Sequence, residues 1–156
     1  MNRSDVEKIV KYLIDQGLAA IHKRTNEKTP AIDYVAIFSK DENEFQELLA
    51  VAETMGKEVD QGTARTGKTY LLDQPLTTPA GVLYLLKIRK PDDTRPQRGA
   101  PDFKIQNYAQ FKEKYLRSSG SFTLMLKKDY EMIELKGVDV LVYLPDKTLG
   151  ERMRKK

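Results

Sequence analysis

Any chemistry in this chain has to work without thiols and almost without imidazole. It has no cysteine and a single histidine, His22. Thiolate nucleophiles, disulfides and zinc–sulfur sites are therefore excluded. His22 closes a helix-forming stretch and has no partner set of carboxylates, so it reads as an ordinary helix-terminal residue. Gly62-Thr-Ala-Arg-Thr-Gly-Lys68-Thr69 fits the phosphate-binding pattern G-x-x-x-x-G-K-[ST]. That chemistry needs a buried strand before the loop and a helix after it, so that backbone amides face the phosphates. Here the approach, residues 57–61, is polar, and the exit, residues 69–75, reads as a strand that runs into Pro75. The segment is expected to be a hairpin turn that binds no nucleotide. Arg89, Lys90, Arg95 and Arg98 could hold a phosphate or carboxylate. Asp92 and Asp93 lie among them and favour a salt-bridged, solvated loop. Glu131, Glu134 and Asp139 are carboxylates that strand alternation could bring onto one face for acid–base work. The strand of a surface hairpin would carry the same letters.

These residues must be positioned by elements that the periodicity outlines. Val6, Ile9, Val10, Leu13, Ile14, Leu18 and Ile21 form one helical stripe over residues 4–22, with Ser4 and Glu7 as a capping box. Residues 33–38 read as a strand that enters a second capping box, Ser39 to Glu42. A helix carrying Phe45, Leu48, Leu49, Ala52 and Met55 follows and stops at Gly56. Residues 57–66, 68–76 and 82–89 read as three strands. The proline-rich, charged segment 90–100 is a linker. The order then restarts, with a strand at 102–106, a helix capped by Asn107, and strands at 122–127, 131–135 and 138–144. The expected fold class is α+β: two tandem βαβββ modules, residues 31–91 and 101–147, behind an N-terminal amphipathic helix in one 156-residue domain. Two copies of an element order suggest a pseudo-twofold sheet groove.

Bulk composition narrows the partners. Hydrophobic residues are 40% and charged residues 32%, the balance of a globular chain. No apolar run approaches the ~20 residues of a membrane helix. The opening residues alternate charged and apolar types, unlike a signal peptide, which makes the cytoplasm the expected compartment. The formal charge of +4 comes from 27 Lys+Arg against 23 Asp+Glu, with both signs interspersed, and this argues against nucleic acid as a partner. The expected partner is a small molecule, with a homodimer allowed.

The tandem order, with Asp33-Tyr-Val-Ala-Ile opening the first module and Gly99-Ala-Pro-Asp-Phe-Lys-Ile opening the second, resembles the vicinal-oxygen-chelate superfamily. That superfamily contains glyoxalases, extradiol dioxygenases and bleomycin-resistance proteins. The resemblance covers about residues 31–147. It implies metal ligands, usually His and Glu, on the first and fourth strand of each module. Counting back from the caps and the closing prolines puts those positions at Tyr34, Asp102, Lys87 and Leu141. Only Asp102 is a metal donor, and a lysine ammonium repels a cation. No metal and no other cofactor is expected.

What the resemblance leaves is a ligand-binding set of Tyr34, Lys87 and Asp102. Lys87 would hold an anionic group, Tyr34 would donate a hydrogen bond, and Asp102 would accept one. A Lys87–Asp102 ion pair standing in for the lost metal explains the same residues equally well. Three functions stay open. The expectation leans to a non-catalytic binder of a small anionic molecule. An enzyme of this fold with a displaced site and a protein-interaction module are the alternatives.

Overall fold

The computed structural model describes residues 1–60 and 64–154. In chain order the elements are α1 (Arg3–Arg24), β1 (Ala31–Phe38), α2 (Glu42–Met55), β2 (Gly56–Val59), a 3-10 turn (Ala64–Thr66), β3 (Gly67–Thr78) and β4 (Gly81–Arg89). They continue with β5 (Gly99–Lys104), α3 (Tyr108–Tyr115), β6 (Phe122–Leu126), β7 (Glu131–Lys136), β8 (Leu141–Pro145) and α4 (Leu149–Arg154). The fold is α+β. The eight strands make one mixed sheet in the order β2-β3-β4-β1-β5-β8-β7-β6. β1 and β5 meet antiparallel at its centre, β4 lies parallel to β1, and β8 lies parallel to β5. None of the described helices is long and apolar enough to cross a membrane.

Alternation sorts the strand residues onto two faces. On one, Val35 and Ile37 of β1, Leu86 and Ile88 of β4, Phe103 of β5, Ile133 of β7 and Val142 and Leu144 of β8 form the main core under α1 and α2. Each such fully buried side chain contributes roughly 1.5–3 kcal/mol. α1 packs closely because Gly17 faces the sheet. A Cβ there would come within 2.8 Å of Phe103 and Pro101. The opposite face carries a smaller cluster, Ala36, Phe38, Ala100, Met132, Leu141 and Tyr143, with Tyr34, Met125 and Tyr130 packed against it.

Several local expectations are corrected. α1 is capped by Asn2, in a reciprocal box with Asp5, and not by Ser4. α2 is capped by Asp41, whose carboxylate accepts the Glu44 amide at 2.8 Å, while Ser39 is buried with its hydroxyl unpartnered. In both cases an Asn or Asp, as good a cap as serine, stands two residues from that serine and takes the N-cap position. The strand expected at 57–66 ends at Val59. α4 was not anticipated, because its six residues have no stripe of their own. It forms where the Asp33 carboxylate accepts the amides of Leu149 and Gly150, at 2.8 and 3.3 Å. The phosphate-loop pattern also fails structurally. Residues 61–63 lie outside the described residues, but Gly67 opens β3, antiparallel to β2, so no helix follows the loop.

Candidate functional site

β1, β4 and β5 are neighbours at the centre of the sheet, and their register brings Tyr34, Lys87 and Asp102 onto the face opposite the main core. Tyr34 lies directly across from Asp102, and Ala36 pairs with Lys87 on one side and Ala100 on the other. Lys87 and Asp102 therefore stand two strand spacings apart and two residues out of step, about 12 Å between backbones. The two small side chains Ala36 and Ala100 form the floor between them. Leu141 reaches the same face. Tyr143, two residues further along β8, is the residue whose backbone pairs with Asp102.

Asp102 is 2% exposed, and among the described residues its Oδ1 has no hydrogen-bond partner. Burial pushes its carboxyl well above the usual range, and Asp33 adds to the rise. Arg152, Lys87 and the Tyr34 hydroxyl pull the other way. A buried carboxyl can donate a hydrogen bond in its protonated form as well as accept one when ionised. Burial also drives the Tyr34 phenol well above its ordinary value, and the Asp102 charge reinforces this.

Lys87 is 6% exposed, and its Nζ donates to Thr66 Oγ1 at 2.7 Å. Burial, with Arg89 beside it, lowers the ammonium to about 8, and Asp102 opposes the shift. The alternative reading, a Lys87–Asp102 ion pair, is not made as a contact. The amine turns toward Thr66, and Asp102 Oδ1 stays unbonded.

Further residues outside the expected set of Tyr34, Lys87 and Asp102 complete the face. Arg95, from the 90–98 connection, donates to the Tyr143 hydroxyl at 3.0 Å. Burial raises that phenol to about 12. Arg152 of α4 lies 3.8 Å from the centre of the Tyr130 ring. Arg89 sits over Phe38 at 5.0 Å, with its Nε buried and without a partner among the described residues. The face thus gathers Lys87, Arg89, Arg95 and Arg152 around one buried carboxyl and three phenols.

Other candidates are dispersed or tied up. Arg89 and Arg95 both approach Asp92, at 4.0 and 3.7 Å, and Arg98 grips Glu44 at 2.6 Å. The salt-bridged loop expected for this segment is therefore present, although Arg95 also reaches the site. Glu131, Glu134 and Asp139 do not converge. Glu131 is bound by Tyr108 and Lys112, and Asp139 holds the Arg98 amide and the Tyr12 hydroxyl. Glu134 is an odd number of positions from Glu131, on the other face of β7. The implied metal does not fit. The four positions read from the resemblance offer one carboxylate beside a cation, and among the described residues no three His, Cys, Asp or Glu cluster as a donor set.

No protein-family model matches the sequence, and no curated protein matches it. A solved structure described as "Structural Genomics, Protein EC4020" superposes with a TM-score of 0.71 over 96% of this chain and 92% of that one. At 9% identity the likeness is one of fold alone.

Proposed function

We propose that the chain is a glyoxalase-like domain of the vicinal-oxygen-chelate type that binds a small anionic molecule without a metal. On this reading two βαβββ modules face each other across β1 and β5. Strand pairing supports it: in each half the first strand pairs in parallel with the last, Ala36 opposite Lys87 and Asp102 opposite Tyr143. The caps Asp41 and Asn107 make Ala36 the counterpart of Asp102, each five positions upstream of its cap (41 − 36 and 107 − 102). The first-strand position thus moves two residues along β1, from Tyr34, which counting from Ser39 gives, to Ala36. Fourth-strand counterparts become Lys87 and Tyr143 in place of Lys87 and Leu141.

The observation that carries the ligand is the buried Asp102 carboxyl, whose Oδ1 has no partner among the described residues while Arg152 and Lys87 pull on its charge. An unsatisfied buried oxygen costs about 1–3 kcal/mol, which a bound group can recover. Lys87, Arg95 and Arg152 attract an anion, Asp102 in its protonated form donates to it, and Ala36, Ala100, Phe38 and Met132 supply the apolar wall. Calorimetry with a panel of small carboxylates and phosphates tests this. Saturable binding that is lost in Lys87→Met is expected. Indifference of the chain to every anion in the panel, or binding that Lys87→Met leaves intact, would refute it.

A further inference from the structure

We propose that the C-terminal helix α4 is a lid over the Asp102 face, latched by Asp33, and that a small anion reaches Asp102 while the lid is released. The entry route rests on reading this face as the ligand site; the lid itself does not. α1, α2 and α3 all send their buried side chains into the main core, on the other side of the sheet. A sheet face without helices over it would leave Asp102 in water, yet Asp102 is 2% exposed. Its cover includes Tyr34 and Tyr130, which pack against the cluster on this face. Over Tyr130 lies α4, with the Arg152 guanidinium 3.8 Å from the ring centre. Arg152 is also near enough to Asp102 and Tyr34 to act on both charges.

The contacts that hold α4 down are few and mostly polar. Its six residues are too short to be stable as an isolated helix. Among its described side chains Leu149 alone is buried, and Leu149 belongs to neither core cluster. The Thr148 hydroxyl and the Glu151 carboxylate make a box at its start, and Lys104 reaches Glu151 at 3.7 Å. The tie to the sheet is the Asp33 carboxylate on the Leu149 and Gly150 amides. Asp33 is placed for this by a shift of the β1–β5 register between Ile32 and Tyr34. Such irregularities re-aim side chains beside sites. Gly150 permits the approach, since a Cβ there would lie 3.1 Å from Asp33 Oδ1. Just before α4 the chain is pinned, because Asp146 exchanges hydrogen bonds with the Glu131 backbone. The pivot therefore falls at Lys147, and α4 can swing out without displacing a strand. Elements with few apolar contacts open locally, below the free energy of global unfolding.

Hydrogen exchange on the full chain tests the lid without any ligand. The Leu149 and Gly150 amides should exchange roughly 100-fold faster than the slowest amides of β1 and β8. Leu149→Ala removes the apolar anchor and keeps the Asp33 charge. It should speed the α4 amides by about 10-fold or more and leave those of β1 and β8 unchanged. Tetranitromethane should also nitrate Tyr130 faster in this variant, with no cysteine in the chain to compete. Exchange of α4 in step with the central strands, or Tyr130 nitration that Leu149→Ala leaves unchanged, would overturn the lid. Acetate and inorganic phosphate then test the entry route. An ion that binds in calorimetry should slow α4 exchange in the wild-type chain, because Arg152 closes over it. If an ion binds and α4 exchange does not change, the entry route falls and anion binding stands. If α4 opens as described but neither ion binds, the lid stands and the anion reading falls.

Discussion

Replacing Lys87 by methionine should make the unliganded protein more stable. An ordinary lysine titrates at 10.5, and Lys87 is lowered to about 8. At roughly 1.4 kcal/mol per pH unit, that difference amounts to about 3 kcal/mol. A folded-state value below the unfolded one means that the associated stability is fully present above pH 10.5 and is lost as pH falls through 8. At pH 7 the charged lysine therefore costs the fold about 3 kcal/mol. Methionine removes that charge at similar length, and it gives up the hydrogen bond to Thr66 Oγ1, worth about 1 kcal/mol. The net expectation at pH 7 is a gain of about 2 kcal/mol, roughly 4–8 °C in Tm. The advantage should shrink steadily with pH and reverse to a loss of about 1 kcal/mol once lysine is neutral in both states. Urea denaturation of both proteins at pH 7, 8.5 and 10.5 measures this. A loss of more than 2 kcal/mol at pH 7, or a difference that does not change with pH, would show that Lys87 is well solvated or well paired, and the site argument would lose its basis.

Asp102→Asn should act in the opposite pH direction. The raised carboxyl gives stability that is fully present below pH 3.8 and is lost as pH rises through its folded value, so the variant should lack the decline that denaturation of the wild-type chain shows as pH rises above 3.8. Arg98→Ala should cost about 1–3 kcal/mol by chemical denaturation, since it breaks the bridge from the linker to Glu44 and the bond to the Phe38 carbonyl at 3.0 Å. Gly17→Ala should cost about 1–3 kcal/mol despite its better helix propensity, because its Cβ meets Phe103 and Pro101; an unchanged Tm would contradict the close helix–sheet contact. Calorimetry with ATP and GTP should show no saturable binding, and binding that disappears in Lys68→Ala would contradict the turn described for that segment.

Element order and most boundaries could be read in advance because periodicity is local. The stripe over α1 and the strand alternation around Val35 and Phe103 report which side faces the core whatever the partner is. Tyr34 and Asp102 follow from the resemblance and a count back from the caps; that they lie opposite each other on β1 and β5 is a matter of strand pairing, which the sequence does not show. The rest of the site depends on contacts distant in sequence. Arg152 arrives on a helix that exists because Asp33, 116 residues earlier than Leu149, caps it. Tyr143 and Arg95 meet across 48 residues. Leu141 was favoured over Tyr143 because a closing proline was used as the ruler, and Pro145 ends its strand one residue past the core pattern while Pro91 lies beyond the end of β4. Strand ends are where local rules are weakest.

α1 lies against β1 and β5 at the central seam, and also touches α2, β7 and β8. It is synthesised before every strand it packs on, and its seat is finished only when Val142 and Leu144 emerge. During translation its apolar stripe, Val6 through Ile21, therefore stays without its full cover while more than a hundred further residues are added. A nascent chain of this design should dwell in a state that engages holdase chaperones. Transfer of the same helix to the C-terminus, as in a circular permutant, should shorten that dwell without altering the finished fold.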